Sequence, residues 1–153
     1  MKRLLIVSHT PSENTRRLAG ALLRGASHPD LAGIEVERSA ALETSPQAVL
    51  AANALLLFTT ENFGYMSGAM KDFFDRIYYP CLEQTQGLPY ALVVRAGNDG
   101  EGARSSVERI VSGLNWKAVQ EPLLCRGGWQ DAFEPQCEEL ALTVAAGLEA
   151  GIF

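Results

Sequence analysis

The sequence predicts an α/β protein in which a parallel sheet carries helices on both faces. Three short apolar runs, Leu4–Val7, Ala54–Phe58 and Ala91–Val94, do not alternate with polar residues. That pattern is typical of strands that are buried on both faces. Helical patterns lie between and after these runs, so strand and helix alternate along the chain. At 153 residues, the chain has the length of one such domain, spanning 1–153.

The predicted helices are marked by apolar residues that recur at intervals of three and four. They cover residues 15–27, 46–52, 68–79, 103–115 and 136–150. The short second helix follows Ser45, and the third follows Ser67. Serine is a preferred N-cap residue because its side-chain oxygen accepts from a backbone amide of the first turn.

Two weaker strands complete the predicted sheet. Ile34–Glu37 alternates apolar with charged residues, and residues 117–125 contain Pro122, which has no N–H to donate. Both features place these strands at the sheet edges. With right-handed crossovers, the strand order is then 2-1-3-4-5. Sheets of this order bind ligands at the carboxyl ends of the central strands, which here are followed by residues 8–15, 59–67 and 95–102.

Composition excludes several classes of function. The formal net charge of −5 disfavours nucleic acid as a partner. No apolar stretch reaches the roughly 20 residues that span a bilayer, so we expect no membrane partner. The N-terminal apolar run is too short for a signal peptide, which predicts a cytoplasmic location. The chain has three widely spaced cysteines, Cys81, Cys125 and Cys137. Their spacing fits neither a metal site nor a redox motif, so we expect buried free thiols and assign no metal ligand.

The first loop, residues 8–15, is rich in hydroxyl side chains and runs into a helix. A helix N-terminus presents unpaired N–H groups and a partial positive charge, which together favour a phosphate group. The alternative is that Ser12 or Asn14 only caps the helix. The spacing fits neither a P-loop nor Gly-x-Gly-x-x-Gly, so ATP and a dinucleotide held in the Rossmann manner are not expected as the main ligand here.

The second loop interrupts a buried strand with Thr59 and Thr60 and then leads into a strongly amphipathic helix. Phe63 and Tyr65 flank Gly64 and offer ring faces to a planar ligand. In the third loop, three glycines within residues 97–102 allow the backbone to approach a ligand closely. Taken alone, the third loop is better explained as a flexible turn with Asn98 and Asp99 at turn positions.

Two segments together resemble the flavodoxin-like FMN proteins. They are Thr-x-x-x-Asn-Thr at residues 10–15 and Asn-Phe-Gly-Tyr-Met-Ser-Gly-Ala-Met-Lys-Asp-Phe at residues 62–73. The second segment resembles most the NAD(P)H-dependent FMN reductase and quinone reductase branch. The resemblance implies a flavodoxin-like three-layer α/β/α sandwich around a five-stranded parallel sheet. The chain departs from the family pattern in two places: the first loop is one residue longer and lacks its usual glycine, and Glu61 stands where Pro or Tyr is common.

The resemblance also implies a set of cofactor-binding residues. Those that would hold the FMN phosphate are Ser8, Thr10, Ser12, Asn14 and Thr15. Those that would border the isoalloxazine ring and ribityl chain are Thr60, Glu61, Asn62, Phe63, Gly64 and Tyr65. The pyrimidine end of the ring would be lined by Ala96, Gly97 and Asn98. In the family, Lys71, Asp72 and Phe73 look structural, and Asp72 is spaced for a helical ion pair with Arg76.

The function implied is that of an FMN-binding oxidoreductase. Electrons would pass from NAD(P)H through FMN to a small acceptor such as a quinone or free flavin. We assign no catalytic side chain, because the flavin supplies the chemistry. Basic residues expected near the site mouth, Arg16, Arg17, Lys71 and Arg95, favour NAD(P)H, although we expect Arg95 to form a structural ion pair. A flavodoxin-type electron carrier and a flavin-free interaction module are the alternatives, and a homodimer is left open.

Overall fold

A computed structural model describes residues 1–153. The strands are β1 (Lys2–Ser8), β2 (Ile34–Ala40), β3 (Ala54–Asn62), β4 (Tyr65–Met66), β5 (Pro89–Ala96), β6 (Lys117–Ala118) and β7 (Leu123–Arg126). The helices are α1 (Glu13–Ala26), α2 (Pro46–Ala51), α3 (Gly68–Cys81), α4 (Glu101–Gly113) and α5 (Phe133–Glu149). No helix is both long enough and apolar enough to cross a membrane.

The main sheet is parallel and has the order β2-β1-β3-β5, with β6 and β7 both paired to the outer side of β5. This confirms the predicted order over five sheet positions. It also confirms both predicted edges. The polar alternation of residues 34–37 therefore reflects an exposed edge, as expected.

The last position in the sheet is occupied by two short strands rather than the single strand predicted. We predicted one strand over residues 117–125, whereas β6 ends at Ala118 and β7 begins at Leu123. Pro122 lies between them and has no N–H to donate to the ladder. The pairing with β5 is therefore interrupted after β6 and continues with β7. A second addition is β4, which pairs antiparallel with the end of β3.

Serine caps start three of the helices. Ser12 accepts from the amide of Thr15, Ser45 from Ala48 and Ser67 from Met70. The predicted capping roles of Ser45 and Ser67 are confirmed. Helix α3 runs two residues past its predicted end and includes Pro80 in its last turn, and Leu82 forms the C-cap.

Two hydrophobic clusters cover the two faces of the sheet. Helices α2, α3 and α4 pack on one face, and α1 and α5 pack on the other. Neighbouring residues of β1 point to opposite clusters, Leu5 to the first and Leu4 to the second, and both are buried. The central strands are thus apolar on both faces, which explains their unbroken apolar runs. All three cysteines are buried and unpaired, as predicted.

Candidate functional site

Three loops meet at the carboxyl edge of the sheet. In the strand register, Ser8 lies beside Phe58, and Thr60 lies beside Arg95. The amide of His9 also donates to the carbonyl of Phe58 at 3.1 Å, so the first loop continues the pairing of β1 with β3. The ends of β1, β3 and β5 are therefore direct neighbours. The structure brings together the three segments that the sequence singled out.

Ser12 and Thr15 in the first loop cap each other. The Thr15 amide donates to the Ser12 hydroxyl at 3.2 Å, and the Ser12 amide donates to the Thr15 hydroxyl at 3.0 Å. This reciprocal pair is a capping box, so the capping alternative is correct for Ser12. Asn14 is exposed, and its side chain makes no hydrogen bond within the protein. The Asn14 side chain is therefore free to contact a ligand at the start of α1.

The first loop carries little positive charge of its own. His9 is half-buried, and burial lowers its pKa, so the imidazole is neutral at pH 7. Ser8 is buried, and Thr10 is half-buried. Arg17 pairs with Glu134, and its guanidinium lies 4.7 Å from the centre of the Trp129 ring. Attraction for an anion here comes from the unpaired amides at the start of α1.

The second loop is a tight β-hairpin rather than an irregular loop. Glu61 pairs with Met66 and Asn62 with Tyr65, which leaves Phe63 and Gly64 as a two-residue turn. Both turn residues have positive φ, 54° and 70°, as hairpin turns of type I′ require. For a bulky residue this conformation is strained. The Phe63 side chain is also fully exposed, so no packing in the protein compensates for that strain.

Buried hydroxyl groups support the base of this hairpin. Thr59 accepts from the amide of Ser67 at 3.0 Å, and the Ser67 hydroxyl accepts from the amide of Met70 at the start of α3. Thr60 donates to the Asn62 side-chain oxygen at 3.2 Å. The second loop is thereby tied to β3 below it and to α3 behind it.

Glu61 links the second loop to the third. Its carboxylate accepts hydrogen bonds from the amides of Gly100 at 3.3 Å and Ala103 at 3.0 Å. Gly100 is the N-cap residue of α4 and has no side chain that could cap the helix. A carboxylate at the positive end of a helix is electrostatically favourable. The carboxylate of Glu61 thus points toward the N-terminus of α4.

Helix α4 also packs closely against the hairpin tip. A Cβ atom added to Gly102 would lie 1.9 Å from the carbonyl oxygen of Gly64, so only glycine fits there. Next to this contact, the amide of Met66 donates to the hydroxyl of Ser106 at 3.1 Å. The hairpin and the first turns of α4 are therefore packed directly against each other. Sequence analysis missed the roles of Gly102 and Ser106, because nothing local marks a contact between distant segments.

The third loop is open to solvent where it faces the site. Gly97 and Asn98 are exposed, whereas Ala96 is buried at the end of β5. The ion pair expected for Arg95 is wrong. Its guanidinium donates to the carbonyls of Ala96 at 2.8 Å and Cys125 at 3.1 Å, and it lies 5.2 Å over the Phe133 ring. Arg95 therefore fastens β5 to β7.

The basic residues expected at the site mouth are mostly engaged elsewhere. Lys71 lies 2.6 Å from Asp75, and this hydrogen bond raises the pKa of Lys71. Asp72 and Arg76 form the predicted helical pair at 2.7 Å. Of the four cations named from the sequence, only Arg16 makes no ion pair or hydrogen bond through its side chain. The charge argument for a nicotinamide nucleotide must therefore rest on other residues.

Comparison with solved structures decides the fold class. A flavodoxin from the domain Archaea superimposes with a TM-score of 0.78 at 17% identity, over 96% of this chain and 99% of that one. The chain has a flavodoxin-like fold. A flavodoxin, WrbA-like protein from Agrobacterium tumefaciens matches with a TM-score of 0.75 at 15% identity, over 98% of this chain and 99% of that one.

The flavodoxin-like fold also occurs as part of larger proteins. The flavodiiron core from Synechocystis gives a TM-score of 0.80 at 15% identity, over 98% of this chain but 36% of that one. No protein-family model matches the chain, and no curated protein matches its sequence. Identities this low establish the flavodoxin-like architecture and leave the ligand to be argued from the site.

Proposed function

We propose that the protein is an FMN-dependent oxidoreductase that passes electrons from NAD(P)H to a small acceptor such as a quinone or free flavin. One observation carries the proposal: the strained, fully exposed Phe63 lies at the tip of a hairpin at the carboxyl edge of the sheet, the edge at which α1 also begins with unpaired amides. Backbone strain of this kind persists where the surrounding structure fixes it, and it clusters at ligand sites.

The residues present fit the chemical parts of FMN. A phosphate suits the start of α1, where Thr10 and Asn14 add polar side chains to the amides of the first turn. Ser12 and Thr15 would shape the loop rather than donate to the phosphate, because the hydroxyls and the backbone amides of both residues are used in the capping box. A planar ring would lie between the Phe63 hairpin and the loop of Gly97 and Asn98, since all three residues are exposed.

The chain's own residues would bind and orient the cofactor. Bound FMN supplies two-electron chemistry between a nicotinamide and an acceptor. The protein's part is to fix the ring between two loops that are already joined through Glu61, so little ordering is needed when the ligand binds. No side chain at the site is placed as an acid, base or nucleophile. The Glu61 carboxylate is turned to two amides at the α4 N-terminus, whose partial positive charge offsets part of its field at the ring.

A flavodoxin-type electron carrier is the second candidate. The likeness to the flavodoxin from Archaea, over almost the full length of both chains, supports this candidate. The engagement of Arg17, Lys71 and Arg95 within the protein also removes cations that would attract NAD(P)H. Both candidates require FMN, and they differ in the electron donor.

Two measurements test the proposal in sequence. The visible spectrum of the purified protein, recorded with added FMN and after removal of unbound flavin, should show retained flavin absorbance. Anaerobic mixing of the FMN-loaded protein with NADH or NADPH should then bleach that absorbance rapidly. Bleaching only by a separate reductase would support the carrier. Absence of FMN binding would contradict both candidates and leave the flavin-free interaction module.

A further inference from the structure

A groove lies behind the hairpin, between helices α3 and α4. Two adjoining cavities of about 400 Å³ and 340 Å³ form it, and both are lined by Arg109 and Ile110. Tyr65 and Ser105 line the larger cavity, and Lys71 and Tyr78 line the other. We call this surface the α3–α4 groove. Each cavity falls within the size range of small-molecule sites.

The groove opens directly beside the proposed flavin site. Gly64 and Tyr65 belong both to the hairpin and to the lining of the larger cavity. Phe63, on the other side of Gly64, points into solvent at the hairpin tip. A ligand that reaches over this tip could therefore contact the flavin edge with one end and the α3–α4 groove with the other. The dinucleotide of a nicotinamide cofactor has two such ends.

The charge of the groove suits a phosphate group. Arg109 is exposed and has no carboxylate within 4.0 Å, whereas Arg104 on the preceding turn is paired with Glu108. Lys71 is paired with Asp75, so Arg109 supplies the unpaired positive charge of the groove lining, in a chain whose formal net charge is −5. An unpaired guanidinium can bind a phosphate through two parallel hydrogen bonds.

The remaining lining suits an adenosine. Tyr65 and Tyr78 offer aromatic ring surface, Ile110 offers apolar contact, and Ser105 is an exposed hydroxyl one helical turn before Arg109. Ring faces near a cation are the combination that binds a purine and its phosphate. We propose that the α3–α4 groove binds the adenosine phosphate half of the nicotinamide donor, with Arg109 on a phosphate group. This inference rests on the proposed function and identifies where its donor docks.

The direct test uses adenosine 2′,5′-bisphosphate as the probe. Titration into the FMN-loaded protein, followed by ¹H–¹⁵N NMR, should give saturable shifts of the amides of Tyr65, Ser105 and Arg109. Arg109→Ala should weaken binding by about tenfold, the loss expected when one charge-assisted contact is removed. Arg38→Ala is the matched control, because Arg38 is an exposed, unpaired arginine on the edge strand β2, and it should leave binding unchanged.

Turnover provides a second readout. In steady-state assays, Arg109→Ala should raise KM for NADPH by about tenfold and leave kcat nearly unchanged. The titration does not depend on turnover. If the protein proves to be a carrier that NAD(P)H cannot reduce, saturable binding that Arg109→Ala weakens would still support the groove site.

Three results would overturn the inference. The first is no saturable shift at millimolar probe. The second is binding that Arg109→Ala does not weaken. The third is a dimer that forms with rising protein concentration, broadens the groove amides and is dissociated by Arg109→Glu. That result would assign the groove to a second copy of the chain.

Discussion

The carboxylate of Glu61 accepts a hydrogen bond from the amide of Ala103 at 3.0 Å, across the gap between the second and third loops. Glu61 lies at the end of β3, and Ala103 lies in the first turn of α4. Because the helix has Gly100 at its N-cap, the glutamate from a distant strand takes over the capping role. The second and third loops are thereby joined along one side of the proposed site.

Replacing Glu61 by alanine should destabilise both the protein and its ligand site. Loss of a capping oxygen lowers the free energy of unfolding by about 0.5–2 kcal/mol, and the freed hairpin should bind FMN more weakly. Glu61→Gln keeps an acceptor oxygen but loses the charge, so its loss should be smaller. Urea denaturation and FMN titration measure both effects. Unchanged stability and unchanged FMN affinity in Glu61→Ala would show that the link is unimportant.

Replacing Phe63 by glycine should raise the stability of the protein and lower its affinity for FMN. The left-handed conformation costs an L-residue about 1–2 kcal/mol, and glycine brings an entropic penalty of about 0.5–1 kcal/mol. The variant should therefore unfold at slightly higher urea concentration, because the exposed ring loses no packing. FMN affinity should fall by about 1 kcal/mol if the ring stacks on the flavin.

Gly64→Ala is the matched control for this substitution. Gly64 also has positive φ, and a Cβ atom there would have nothing within 4 Å. The change adds strain without a clash and should lower stability. An increase in FMN affinity on Phe63→Gly would argue against any contact between Phe63 and the ring.

Replacing Gly102 by alanine should displace the hairpin from α4. The new methyl group would overlap the Gly64 carbonyl, and backbone must move to relieve it. We expect a loss of about 1–3 kcal/mol in stability, together with weaker FMN binding. Gly20→Ala, also within a helix, is the control: its Cβ would meet nothing closer than 3.7 Å, so alanine should stabilise α1 by about 0.5–1 kcal/mol. A stable Gly102→Ala protein with normal FMN affinity would contradict the close packing.

Ser12 and Asn14 should respond differently to alanine substitution. Ser12→Ala removes half of the capping box and should cost about 0.5–2 kcal/mol of stability. Asn14→Ala removes an exposed side chain without a protein partner, so thermal denaturation should be nearly unchanged while the affinity for FMN falls. Equal FMN affinity of Asn14→Ala and the unmodified protein would leave the first loop with a capping role alone.

The order of the sheet could be predicted because burial leaves a local mark on sequence. Unbroken apolar runs identified β1, β3 and β5, while Pro122 and the alternation at residues 34–37 marked the edges. The β4 hairpin was missed because its turn places Phe63, rather than Asn or Gly, at a position with positive φ. Propensity favours glycine there, and tertiary contacts with α4 override it.

Side-chain partners between distant segments were the least predictable part of the site. Glu61 lies about 40 positions from the α4 amides that it caps, and Arg95 lies 30 positions from the Cys125 carbonyl. Neither pairing has a local sequence signature. Arg109 was overlooked for the same reason: only the packing of α3 beside α4 shows that it lines a groove.

The most direct test of the account is an NMR titration of the ¹⁵N-labelled protein with FMN. The predicted result is saturable binding with amide shifts concentrated in residues 8–15, 60–65 and 96–99, at the carboxyl ends of β1, β3 and β5. A lack of saturable shifts at millimolar FMN would contradict the account, and so would shifts confined to other parts of the fold.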